Sequence, residues 1–132
     1  MTREQFERIV AEEFPGSIPE KFRTKLQNVA FLVEDEPTLE VRVEEGLGPG
    51  DTLLGYYKGV PHTARGDGYG IGATYPDTIT LYQVPIEIQA NEIGGGEENI
   101  RKVVRDTIWH EVAHHFGMDE PMVRRREEER GI

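Results

Sequence analysis

The chain has no cysteine in its 132 residues. Disulfide frameworks, cysteine-ligated zinc fingers, iron–sulfur clusters and thiol catalysis are therefore excluded, and a cytoplasmic protein is the expectation. Long apolar runs are missing too. Nothing approaches the roughly 20 residues of a membrane-spanning helix, and mean hydropathy is −0.57. The opening MTREQFERIV carries charge throughout and offers no apolar stretch of the secretory kind. Basic charge is scarce, with 15 Lys and Arg against 25 Asp and Glu, a net of −10. The one basic cluster, Arg124-Arg125-Arg126, is followed at once by Glu127-Glu128-Glu129. Phosphate-backbone binding depends on clustered Lys and Arg, so neither nucleic acid nor a membrane is an expected partner. At 15.0 kDa, without repeats or an internal linker, residues 1–132 are expected to form a single domain with one modest core.

Local patterns are readable along the chain. Thr2-Arg3-Glu4-Gln5 has the form of a capping box, and Phe6, Ile9, Val10 and Phe14 follow at helical spacing. A helix over 3–14 is predicted, stopped by Pro15-Gly16. Ser17-Ile18-Pro19-Glu20 offers a second cap, with Pro early in the helix. Val29 to Val33 is a short apolar run of strand length. Leu39, Val41 and Val43 alternate with charged residues, as in a strand with one wet face. Thr52 to Tyr57 and Thr78 to Gln83 read as further strands. Between them, residues 59–77 hold five Gly, two Pro, one His and two Tyr. A stretch so long without periodicity reads as a functional loop, a candidate lid. Pro85 opens a short helix that Gly94-Gly95-Gly96 ends. From Glu97, the positions Ile100, Val103, Val104, Thr107, Ile108, Glu111 and His114 trace one helical stripe to about Phe116, with Gly117 as the breaker. Helices, a small sheet and a long late helix make the fold class α+β.

That late helix contains His110-Glu111-Val112-Ala113-His114, the pattern H-E-x-x-H. Residues four apart on a helix lie one turn apart on one face, so both imidazoles can reach one metal ion. Glu111 lies about 100° around the axis from His110. It flanks such a site without ligating and is placed to take a proton from water that the ion has acidified to a pKa of roughly 7. Catalytic zinc has three protein ligands and an open position. His110 to Glu120 reads H-E-x-x-H-x-x-G-x-x-E. It resembles the metzincin signature, with a carboxylate in place of the last His. On that alignment Glu120 is the third ligand, and neighbouring Asp119 is the alternative.

Most of the chain resembles the minimal zincin family of small bacterial zinc metallopeptidases. The resemblance runs from Asn28-Val29-Ala30 and Val33-Glu34-Asp35-Glu36-Pro37 through Leu54-Gly55-Tyr56-Tyr57-Lys58-Gly59-Val60-Pro61. It continues with Tyr75-Pro76-Asp77-Thr78-Ile79-Thr80-Leu81-Tyr82 and Pro85-Ile86-Glu87, and ends in His110 to Glu120. It implies a compact zincin-like fold, a short mixed sheet packed on the N-terminal helix and the long helix, and one Zn2+ per chain. The implied activity is hydrolysis of peptide bonds in a peptide or protein substrate, with Glu111 as the catalytic acid–base. The other reading is a metal-binding regulatory or protein-interaction domain without catalysis. The sequence leaves the substrate and the oligomeric state open.

The remaining polar candidates carry two readings each. His115 points about 100° away from His114 and reads first as a packing or hydrogen-bonding residue. His62, in the glycine-rich loop, is either solvated or near the substrate. An oxyanion donor would assist attack on a carbonyl; Tyr56, Tyr57, Tyr69, Tyr75 and Tyr82 are available, with Tyr56 and Tyr75 the substrate-binding candidates beside His62. Thr107, one turn before Glu111, is a candidate pocket-lining residue, and Trp109 is expected to pack the helix on the sheet.

Overall fold

The computed structural model describes residues 1–23, 29–59 and 76–115. Within these, the chain forms α1 (Arg3–Ser17), α2 (Glu20–Arg23), β1 (Val29–Glu34), α3 (Leu39–Glu44), β2 (Gly55–Lys58), β3 (Asp77–Tyr82), α4 (Gln83–Glu92) and α5 (Glu97–His115). The strands make one mixed sheet in the order β1-β3-β2. β1 runs parallel to β3, with Val29 opposite Asp77, and β2 runs antiparallel to it, with Tyr57 opposite Ile79. The α+β architecture expected from the pattern is thus present, mixed sheet included.

α1 starts as its capping box predicts. Thr2 Oγ1 accepts from Gln5 N–H at 3.1 Å, and Gln5 Oε1 accepts from Thr2 N–H at 2.9 Å. Its end differs from expectation: the helix runs through Pro15 to Ser17. Ser17 Oγ donates to Glu13 O at 2.6 Å and is buried, so it closes α1 instead of capping the next helix. α2 is held by Phe22 and Arg23 N–H on Pro19 O. α5 lies against α1, α4 and the sheet. Phe6, Ile9 and Val10 of α1, Ile79 and Leu81 of β3, Ile86 and Ala90 of α4, and Val104, Ile108 and Val112 of α5 form one core at 0–2% exposure. Trp109 is also fully buried, its ring 5.6 Å from that of Phe22, so it seats α2 on α5 as well as filling the core.

One segment is the opposite of what its alternation predicts. Leu39 to Glu44 is a helix, not a strand. Thr38 caps it, accepting from Val41 N–H at 3.3 Å, and Leu39 and Val43 are 77% and 72% exposed. Six residues are too few for period 2 to outweigh a good N-cap. β2 also starts later than expected, at Gly55 instead of Thr52, and α4 begins two residues before Pro85. Gly94, Gly95 and Gly96 all have positive φ, a conformation that glycine adopts without penalty, and they turn the chain from α4 into α5. Gly117, and the larger part of the glycine-rich loop (60–75), lie outside the described residues.

Candidate active site

α5 carries the two histidines of the motif on one face, with ring centroids 4.9 Å apart. Glu111 stands between α5 and the edge strand β2. Its Oε1 accepts from Tyr57 N–H at 3.1 Å. The direction of that amide follows from the pleat. Tyr82 N–H donates to Leu54 O, so even-numbered residues of this strand pair with β3. The alternation then directs the amides of Gly55 and Tyr57 away from the sheet, and Tyr57 spends its own on Glu111. One carboxylate oxygen is thereby fixed, leaving the other for chemistry. Burial pushes the Glu111 carboxyl above its ordinary range, while the Tyr57 N–H and the neighbouring His114 and His110 pull it back. The net direction is upward, toward the range useful to a group that both takes and gives a proton.

Close approach of β2 to α5 makes this contact possible. A Cβ on Gly55 would stand 2.7 Å from Thr107 Cγ2 and 3.1 Å from Thr80 O. Only glycine fits there without displacement. Two cavities flank Glu111. The larger, about 670 Å³, runs back along α5 past Thr107 and Val103 toward Ile93, walled by Leu53 and Leu54. The smaller, about 390 Å³, lies toward His114 and His115 and takes in Tyr56, Tyr57 and Gly59. Glu111 lines both. A chain crossing from one to the other would pass directly over the carboxylate.

The other candidates separate clearly. His115 stacks on Tyr57, with centroids 4.1 Å apart and planes 15° from parallel, which is the packing role expected of it. Tyr57 hydroxyl donates to Asp77 Oδ2 at 2.7 Å. Tyr56 hydroxyl donates to Glu44 Oε2 at 2.9 Å, and burial followed by that carboxylate pushes the phenol up to about 12. Tyr82 is buried in the core. Thr107 lines the larger cavity as expected. His62, Tyr69, Tyr75, Asp119 and Glu120 lie outside the described residues. Among the described residues no group of three His, Cys, Asp or Glu is arranged to hold a metal; the helix contributes two imidazoles and the flanking carboxylate. Sequence reasoning missed the Tyr57 backbone donor, because a contact across 54 positions leaves no trace in local spacing.

A short mixed sheet whose edge strand runs beside a long helix bearing His110, Glu111 and His114 is an arrangement consistent with a zincin-like fold. The chain belongs to the zincin-like metallopeptidase family, whose model matches residues 26–130. No curated protein matches it.

Proposed function

We propose that this protein is a zinc-dependent peptidase, holding one zinc ion through His110, His114 and an acidic residue, Glu120 or Asp119. The observation that carries this is Glu111, fixed through one oxygen and placed between two cavities beside the paired imidazoles. Zinc, when bound, supplies Lewis acidity to a water molecule and to the scissile carbonyl. The rest is the work of the chain. Glu111 takes the proton of the attacking water on its second oxygen and passes it to the leaving amine. Tyr57 N–H holds that carboxylate against rotation, so little reorganisation is needed as the charge moves. Leu53, Leu54 and Val103 exclude water from one side and receive an apolar part of the substrate. An extended peptide passing beside β2 would reach both cavities at once, with Tyr57 N–H, already spent on Glu111, taking no part in holding it.

Three protein ligands and a free carboxylate suit catalysis better than a structural zinc, which is closed by four ligands. The cytoplasm is part of this reading, on the absence of cysteine; among the described residues no helix is long and apolar enough to cross a membrane. The test is a peptide-library digest with metal analysis. The wild type should cleave and stop when a chelator is added. Glu111→Gln should keep its zinc and lose turnover. Undiminished cleavage by that variant refutes the mechanism, and zinc uptake without any cleavage supports the regulatory alternative.

A further inference from the structure

Asp106 stands one turn before His110 on α5, and both side chains line the larger cavity. Its Oδ2 accepts from Lys102 Nζ at 2.8 Å. Its Oδ1 is buried and has no hydrogen-bond partner among the described residues. The Asp106 side chain as a whole is 31% exposed, yet this one oxygen is shielded, and native structures keep few such atoms unpaired without a reason. The reason offered by the surroundings is the neighbouring imidazole. A histidine that ligates a metal through one ring nitrogen needs an acceptor for the N–H of the other, and a carboxylate is a common choice. Residues four apart on a helix are within reach of each other.

We propose that Asp106 is a positioning residue for His110. Its Oδ1 accepts the ring N–H on the nitrogen turned away from the metal, which fixes the tautomer and the ring orientation. Lys102 pins the carboxylate through the other oxygen. The assignment rests on the zinc reading above, and it concerns metal affinity, not the chemical step.

The experiment measures zinc affinity by competition with a chromophoric chelator. Asp106→Ala should bind zinc about 10–100-fold more weakly than the wild type. Asp106→Asn loses the charge but keeps an acceptor oxygen, and should retain most of the affinity. Thermal unfolding of the metal-free proteins should show Asp106→Ala no less stable than the wild type, which separates the effect from misfolding. Nitrogen-15 imidazole spectra of the zinc-loaded wild type should show a protected His110 ring proton that Asp106→Ala loses. Zinc affinity of Asp106→Ala within twofold of wild type overturns the proposal, as does Asp106→Asn binding as weakly as Asp106→Ala. A wild type that takes up no zinc overturns both this and the zinc reading. Loss of affinity in a protein that cleaves no peptide supports Asp106 and defeats only the peptidase assignment.

Discussion

Gly55→Ala tests the packing on which the site depends. The added methyl would meet Thr107 Cγ2 at 2.7 Å, Thr80 O at 3.1 Å and Glu111 Cγ at 3.6 Å. The first distance is far inside contact and the second is against backbone. Thr107 cannot turn aside freely, because its Oγ1 donates to Val103 O at 2.7 Å. Overpacking of this kind costs about 1–3 kcal/mol. Removing a glycine from the unfolded chain returns roughly 0.4–1 kcal/mol. The net expectation is a loss of about 1–2 kcal/mol, read as the midpoint shift in urea at unchanged slope. Amide exchange at Tyr57 should quicken as β2 is pushed from α5 and its bond to Glu111 lengthens. The decisive arm is the double variant. Thr107→Ser deletes the obstructing methyl and keeps the hydroxyl bond. Alone it should destabilise by about 1 kcal/mol through lost burial; on the Gly55→Ala background it should stabilise. If Thr107→Ser costs the same in both backgrounds, the two residues are not coupled and the close-approach argument is wrong.

Two further predictions concern other elements. Glu13 joins α1 to α5, accepting from Arg101 at 2.8 Å and from Arg105 at 2.9 Å. Burial pushes its carboxyl up, but the two guanidiniums outweigh that and the net direction is downward. Its folded pKa lies below the unfolded value, so its stabilisation is present above the unfolded pKa and is lost as pH falls through the folded one. Glu13→Gln should therefore melt earlier than wild type at neutral pH, with the two curves converging in acid; an equal deficit at every pH would contradict the ion-pair account. Val43→Thr, on the exposed face of α3, should change unfolding free energy by less than about 0.5 kcal/mol. A large loss would mean that the face is covered, as the alternating pattern had predicted for a strand.

The sequence made the ends of the problem legible and left the middle dark. The capping box at Thr2 and the stripe from Ile100 to Glu111 are local rules, and the structure obeys them. The alternation of Leu39, Val41 and Val43 was misleading because both periods describe six residues equally well, and the Thr38 cap decided between them. Pro15 lies inside α1, in its last turn, where it forfeits a bond to the carbonyl four residues back; the helix nevertheless runs two residues further, to Ser17, whose buried hydroxyl donates to Glu13 O. At the site, H-E-x-x-H announced its own geometry. The grip of Tyr57 on Glu111, the need for glycine at Gly55 and the unmet oxygen of Asp106 all arise from β2 meeting α5 or from burial. No spacing rule encodes them.

The placement of α1 against α5 has a consequence for biosynthesis. The face of α1 bearing Phe6, Ile9 and Val10 closes on a core that α5 completes, and α5 ends roughly 100 residues later in the chain. At about 5–20 residues per second the first helix leaves the ribosome some 5–20 s before its partner. Fifteen residues are marginal as an isolated helix in water, so this nascent segment waits without a stable fold. Arg3, Glu4, Glu7, Arg8 and Glu12 then serve a second purpose: they keep that early, unpartnered segment hydrated until α5 arrives to shelter its apolar side.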